Sequence, residues 1–303
     1  MTIKNAVVTG ASGFIGRAMV RYLVDQCINV IAVDITPVNK DICDERVIDL
    51  LVPGALNPFI DKETVIFHLA AHADVASSVT DPRNDFDLNI KMLFEVLESV
   101  RQAECQLLFP STASIFDSGN KLPLSERAYV KPTSPYAAAK VAGEAYCAAY
   151  HRSYGLNIRI ARMFSVYGKG MDRFAIYDLI RKIQKNNIEI ELLGDGNQIR
   201  DYLYIDDVVR GLFMIARNGA DGEDYNLASG LAVKLSDLAA QLARLMGFPI
   251  IKILPTGKSF PGDVPKWYAD ITKIKGIGFF PKVSLEEGLR KTINWLRSCP
   301  KIN

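Results

Sequence analysis

The sequence predicts an α/β protein with a doubly wound parallel sheet and a smaller C-terminal α/β lobe. Three observations carry the prediction. Short, continuous apolar runs alternate with longer amphipathic ones in the first half, and Gly10, Gly13 and Gly16 separate the first run from the first helix pattern. After about Tyr167 the alternation yields to segments punctuated by Pro and Gly, such as "GKG", "GDGNQ" and "SFPGDVP". Apolar runs without polar alternation suit strands covered on both faces. Strand and helix in alternation imply right-handed crossovers in one sheet.

Taken in order, the strand runs are Asn5–Gly10, Asn29–Asp34, Thr64–Ala71, Cys105–Ser111 and Asn157–Phe164. A helix pattern covers Gly16–Gln26. A second covers Asp85–Glu104, with Phe86, Ile90, Leu93, Leu97 and Val100 at helical spacing. A third runs from Ser134 to Ser153. This divides the chain into a dinucleotide-binding domain, 1–167, and a mainly substrate-binding lobe, 168–303, with a return to the first domain around 200–230.

Composition narrows the function. Of 303 residues, 49% are hydrophobic and 23% charged, with a net charge of +2 and no dense Lys/Arg run. That argues against nucleic acid or a membrane surface as partner, since counterion-driven binding needs a concentrated basic face. No stretch approaches the ~20 apolar residues of a membrane span, and Met1–Thr9 reads as a first strand rather than a leader. The five cysteines, Cys27, Cys43, Cys105, Cys147 and Cys299, form no C-x-x-C pair and read as reduced thiols of a cytoplasmic protein. His68, His72 and His151 do not form a metal-binding pattern.

"VVTGASGFIGRAMV" joins a strand to a helix through a Gly-rich turn, as a Rossmann-type fold does. Gly10 allows the tight turn, Gly13 the close approach of a pyrophosphate, and Gly16 close helix packing. The helix N-terminus then faces the phosphates. The second strand ends in Asp34, where an acid binds the adenosine ribose. Ile35 and Thr36 follow it, with no adjacent arginine for a 2′-phosphate, so NAD is the expected cofactor.

"SPYAAAK" places Tyr136 and Lys140 on one helix face. An ammonium beside a phenol favours the phenolate. A tyrosine so tuned can take a proton from a sugar hydroxyl while hydride leaves the same carbon. Ser111 and Thr112 stand at a strand end, where such folds bind ligands, and a hydroxyl there could share that proton.

With these residues placed, the chain resembles the extended short-chain dehydrogenase/reductase family of nucleotide-sugar epimerases and dehydratases, UDP-glucose 4-epimerases among them. The resemblance covers nearly the whole chain. It rests on "TGASGFIG", "HLAA", "STASIF", "PYAAAK", "RMFSVYGKG", "GDGNQIRDYLYIDDVV", "PGDV" and the closing "ADITKIKGIGFFPKVSLEEGLRKTINW". It implies that Thr112, Tyr136 and Lys140 are the catalytic trio. Gly10, Gly13, Phe14, Ile15 and Gly16 match the dinucleotide loop, Asp34 the ribose acid, and Asp49 with Leu50 an adenine contact. Leu69, Ala70, Ala71, Asn89 and Ser111 line the cofactor, and Met163 to Ser165 reach the nicotinamide and sugar. Arg200 matches an arginine that binds the substrate diphosphate through bidentate contacts.

Within that family the dehydratases carry acids after the hydroxyl residue, whereas this chain reads Thr112-Ala113-Ser114. Epimerisation or simple reduction remains. The resemblance therefore implies an NAD-dependent nucleotide-sugar 4-epimerase acting on a nucleotide-diphosphate sugar, with a 4-keto-sugar reductase using NAD(P)H as the alternative. An idle NAD(H)-binding protein is a minor one. Three positions depart from the family. Ser165 replaces an asparagine that contacts the sugar nucleotide. Phe260 replaces a second diphosphate-binding arginine, for which Lys258 is a candidate substitute, and Phe116 replaces a tyrosine. Trp267 matches a position that limits room at the sugar's 2-substituent, which implies a plain 2-hydroxyl; a packing role is the alternative. The family is commonly homodimeric, through helices 85–104 and 134–153, whose alanines suit close helix contact or packing against the protein's own sheet.

Overall fold

The computed structural model describes residues 3–38, 42–258 and 264–298. Phe260, most of "PGDV" and Cys299 lie outside the described residues.

The first half forms β1 (Asn5–Thr9), β2 (Asn29–Asp34), β3 (Asp44–Val47), β4 (Thr64–His68), β5 (Gln106–Thr112) and β6 (Ile158–Met163). The second half adds β7 (Ser165–Tyr167), β8 (Glu189–Leu192), β9 (Ile199–Arg200), β10 (Tyr202–Tyr204), β11 (Asp224–Leu227), β12 (Val233–Lys234) and β13 (Lys252–Pro255). The helices are α1 (Phe14–Asp25), α2 (Val75–Thr80), α3 (Pro82–Phe86), α4 (Met92–Ala103) and α5 (Pro135–Tyr154). They continue with α6 (Phe174–Lys185), α7 (Ile205–Asn218), α8 (Leu235–Met246), α9 (Thr272–Gly276) and α10 (Leu285–Ser298).

Seven parallel strands build the main sheet in the order β11-β6-β5-β4-β1-β2-β3. This is the doubly wound sheet the apolar runs predict. Its strands alternate between two cores. Val7, Val33, Ile66, Leu107 and Phe109 pack on one side with α4 and α5 residues such as Leu97 and Cys147. Val8, Ala32, Phe67 and Leu108 pack on the other with Met19, Leu212 and Ile215. The chain re-enters this sheet late, when α7 packs on α1 and β11 pairs with β6. The remaining short strands form pairs, β10 with β7, β12 with β9 and β13 with β8.

Three elements differ from expectation. The edge strand β3 reads "DERV", which carries no apolar run. It pairs with β2 alone, and an edge strand tolerates the charges. The helix expected over 85–104 starts earlier, at Pro82, because the Asp81 side chain caps it by accepting from the Asn84 amide at 3.1 Å. A π-helical turn, Asp87–Lys91, then separates α3 from α4. The "HLAA" segment leaves the strand after His68, when the Leu69 amide turns to the Thr9 carbonyl. α5 begins where "SPY" predicts: Ser134 accepts from the Ala137 amide at 3.2 Å and Pro135 holds the first position.

An ion cluster ties α5 to the sheet. Arg162 of β6 donates Nε and Nη2 to both Glu144 oxygens, at 3.0 and 2.7 Å, and Nη1 to the Glu126 carbonyl at 2.7 Å. It also pairs with Asp224 of β11 and lies over the Phe116 ring. Phe116 is buried there, so this site needs a flat apolar face and no hydroxyl. Removing one partner of a buried pair strands the other charge. Glu144→Ala should therefore lower unfolding free energy by about 3 kcal/mol, measurable by urea denaturation.

Candidate active site

The turn after β1 is closed by contacts that a side chain would break. Gly10 has φ +66°, and a Cβ there would stand 2.5 Å from the Ala70 amide nitrogen. A Cβ on Gly16 would fall 2.0 Å from the Gly10 carbonyl oxygen. Gly13 is different: it is exposed, and its Cβ position meets only that carbonyl, at 3.2 Å. Gly13 caps α1 without a side-chain partner, and the first turn holds no acid. The amides of Phe14, Ile15 and Gly16 thus point a positive helix end at open space, an arrangement suited to a phosphate.

Asp34, at the end of β2, is engaged by that same turn. It accepts from the Ser12 amide and hydroxyl, at 2.9 and 2.8 Å, and from the Thr36 amide at 3.1 Å. Burial pushes its carboxyl up, but these Ser12 and Thr36 hydrogen bonds outweigh it and hold the carboxyl below its usual range. Both lone pairs of Oδ2 are taken by Ser12, and the Thr36 hydroxyl, 3.2 Å from Oδ1, also lies 3.0 Å from Ser12 Oγ, so Oδ1 is the oxygen with room for a further donor. Asp49 is exposed and accepts from the Leu51 amide at 2.9 Å, while the Leu50 side chain turns into the core. Leu69, Ala70 and Ala71 cross the end of β1, where the Ala70 amide donates to Thr9 Oγ1 at 3.2 Å.

The catalytic candidates gather at the ends of β5 and β6 against α5. Thr112 pairs in register with Met163. Its hydroxyl lies 3.0 Å from Ser114 Oγ and acts on the Tyr136 phenol to lower its pKa. Lys140 is buried; its Nζ donates to the Pro110 carbonyl at 3.0 Å and sits 4.8 Å from the Phe109 ring centre. Burial lowers its pKa to about 8. The expectation that Lys140 depresses the Tyr136 pKa is corrected here. Burial raises the phenol to about 12, Thr112 and Arg173 lower it, and Asp85 raises it further. The lysine is spent on Pro110 and Phe109, so burial prevails at the phenol and Tyr136 holds its proton at neutral pH.

Ser111 Oγ and Asn89 Oδ1 are buried without a hydrogen-bond partner. Buried polar atoms are normally paired. These two, with the open face of Gly13 and the uncapped α1, fit a polar cofactor along the carboxyl ends of the strands. No cluster of His, Cys, Asp or Glu that could hold a metal ion exists among the described residues.

Further along the chain, Ser165 pairs in register with Tyr202 in the β7–β10 ladder, two residues past Arg200 at the end of β9. The Arg200 guanidinium lies 4.1 Å over the Trp267 ring, and its Nη1 donates to the Pro265 carbonyl at 3.1 Å. Trp267 Nε1 is buried and without a partner. Arg200 and Trp267 are thus one stacked unit, a juxtaposition that the sequence kept apart. Lys258 is exposed beside the "GDGN" turn, where its carbonyl accepts from the Gly194 amide at 2.8 Å.

Sequence reasoning missed three polar side chains at this cleft. Asp85 and Arg173 both act electrostatically on the Tyr136 phenol, and His72 lies 3.2 Å from Asp85. The i, i+4 spacing of Asp85 and Asn89 was the one available signal; nothing local marks Arg173.

Beneath the site, His68 lies 2.9 Å from Thr9 Oγ1 and stacks on Phe109. Burial, and then the Lys140 charge, lower its pKa from 6.5 to about 3. The unfolded chain therefore binds this proton first, and stability falls as pH drops from 6.5 towards 3. Between pH 7 and pH 5 the wild type should lose about 2 kcal/mol through this group. His68→Gln should flatten that part of the urea-midpoint profile.

The geometry has counterparts among known proteins. A family model described as "NAD dependent epimerase/dehydratase family" matches residues 6–228. A "Putative UDP-glucose 4-epimerase" of Methanocaldococcus jannaschii is 32% identical, over 96% of this chain and 98% of its own. The UDP-glucose 4-epimerase of Thermotoga maritima, solved with UDP-glucose, superposes with a TM-score of 0.88 at 30% identity, covering 97% of this chain and 98% of that one. The UDP-N-acetylglucosamine 4-epimerase of Methanobrevibacter ruminantium M1, solved with UDP-N-acetylmuramic acid, gives 0.89 at 28% identity, covering 98% and 99%. A family match over most of the chain, and relatives aligned from end to end, place this protein in the NAD dependent epimerase/dehydratase family as an NAD-dependent enzyme.

Proposed function

We propose that the protein is a nucleotide-sugar 4-epimerase of the UDP-glucose/UDP-galactose kind, which keeps its NAD through the reaction. The observation that carries this reading is the turn Ala113–Ile115 beside Tyr136. There Ala113 and Ser114 follow Thr112, and Ser114 offers a hydroxyl bonded to Thr112 rather than a carboxylate. Dehydration needs an acid and a base at that place to remove water from the keto-sugar.

The residues have separable tasks. Thr112 and Tyr136 bring two hydroxyls to one substrate oxygen, the sugar O4. Tyr136 takes the O4 proton and gives it back after the sugar has turned its other face. Bound NAD supplies a reversible hydride acceptor. Its oxidised ring is cationic, which favours the phenolate that burial alone opposes. Arg200, stacked on Trp267, is suited to a diphosphate. The indole occupies space at the sugar's 2-position, which favours a plain 2-hydroxyl over an N-acetyl group. Ser165 completes the sugar contacts, and Lys258 is the candidate second cation for the diphosphate.

A homodimer is part of the same reading. Phe86, Phe94, Tyr146 and Tyr154 are exposed on α3 to α5. On α5, Ala137 and Ala139 face the protein's own core, whereas Ala138, Ala145 and Ala149 are exposed. A stripe of small residues beside aromatic ones suits close helix contact with a second copy. Sedimentation should give a dimer, and Ala145→Arg a monomer. No helix among the described residues is long and apolar enough to cross a membrane.

The function is tested with purified enzyme and a panel of nucleotide sugars, without added NADH, followed by mass spectrometry and proton NMR. The expected product has unchanged mass and inverted C4. A two-hydrogen mass gain that requires NADH and a 4-keto-sugar would establish a reductase instead. Tyr136→Phe should lower kcat by about 10²- to 10⁴-fold with NAD binding retained; an unchanged rate would leave an idle nucleotide-binding protein.

A further inference from the structure

Asp201, between β9 and β10, is fully buried. Its Oδ1 accepts from the Ser229 amide at 2.7 Å and the Ser229 hydroxyl at 2.6 Å. Its Oδ2 accepts from the Gly230 amide at 2.9 Å and the Ala269 amide at 3.2 Å. Four neutral donors thus fill both oxygens, which is how a buried carboxylate is satisfied. They come from two segments, the loop after β11 and the stretch that carries Trp267.

The backbone shows why a side chain is needed there. Ile199 pairs parallel with Lys266. Its amide donates to the Pro265 carbonyl at 3.0 Å, and its carbonyl accepts from the Trp267 amide at 3.0 Å. A parallel ladder would continue two residues on, with the carbonyl of residue 201 accepting from the amide of residue 269. That carbonyl instead accepts from the Ser165 amide of β7, at 2.9 Å. The Asp201 carboxylate takes over the Ala269 amide that its own backbone has left. One residue therefore faces two ways: its carbonyl holds Ser165, and its side chain holds the Trp267 segment. Arg200 lies between Ile199 and Asp201 in the chain, so its stack on Trp267, 4.1 Å from guanidinium to ring centre, is flanked by a tie on either side.

We propose that Asp201 is a positioning residue that sets the span between Ser165 and the Arg200–Trp267 stack, and thereby the room left at the sugar's 2-position. The substrate roles of Ser165, Arg200 and Trp267 rest on the function proposed above; the clamp itself does not depend on the reaction.

The chain has two tryptophans, Trp267 and Trp295, so in a Trp295→Phe background the emission reports on Trp267 alone. The test adds Asp201→Asn, which keeps the side-chain volume but accepts at one oxygen only, so two of the four donors are opposed. With no sugar present, Trp267 emission should shift to the red and its quenching by acrylamide should rise. UDP binding to the NAD-bound protein, measured by calorimetry, should weaken about tenfold through the displaced guanidinium. In turnover, KM should rise with kcat and bound NAD kept, and the preference for UDP-glucose over UDP-N-acetylglucosamine should fall about tenfold. Unchanged Trp267 emission and quenching, or a loss of kcat and bound NAD with that preference intact, would overturn the proposal. If Asp201→Asn does not fold, Ser229→Ala removes the shortest of the four bonds. It should move Trp267 emission and UDP affinity in the same directions, and unmoved values overturn the proposal equally. A protein without epimerase activity in which Asp201→Asn still loosens Trp267 and weakens UDP would retain the clamp and remove only the reaction assigned above.

Discussion

A buried ammonium is the constraint around which the site is organised. Lys140 is nearly enclosed, and burial outweighs the neighbouring negative groups to leave its pKa at about 8. The surroundings answer with weak, distributed stabilisation rather than with one salt bridge: a carbonyl, an aromatic face, and carboxylates at a distance. Beneath it, His68 is held neutral by the same burial and the same charge. A second cation there would compete with Lys140 for the little negative potential available. The sheet thus presents charge at one level and a neutral imidazole just below.

The fold was legible because the apolar runs are long and the capping residues explicit. Ser134 and Pro135 announce α5, and Gly10, Gly13 and Gly16 announce the first crossover. The edge strand β3 was not legible, since its stability comes from pairing with β2 and its four residues carry three charges. The π-helical turn was hidden for a related reason. Apolar periodicity across 85–104 is satisfied by a continuous helix, and one extra residue in a turn leaves little trace in spacing.

The site was legible where residues are adjacent in sequence and illegible where loops meet. Tyr136, Lys140 and Thr112 fall in recognisable motifs. Their electrostatics do not follow from those motifs, because the spacing of Tyr136 and Lys140 says nothing of Pro110 and Phe109, which claim the ammonium. Arg173, Asp85 and His72 come from three separate segments and meet only in the folded chain. The Arg200–Trp267 stack likewise joins residues far apart in sequence.

The late return of β11 to the main sheet has a consequence for how the molecule is made. β6 is an interior strand, with β5 on one side and β11 on the other. During synthesis, residues 1–167 emerge before β11 and α7 exist. At that stage β6 is an open edge, rich in apolar side chains, and its Arg162 lacks Asp224. Unpaired edges of this kind invite pairing with other chains. The sheet begun by residues 1–167 is therefore incomplete as it leaves the ribosome. It is completed only after the intervening segment, 168–223, has been made, so the early strands and the late one are obliged to mature together.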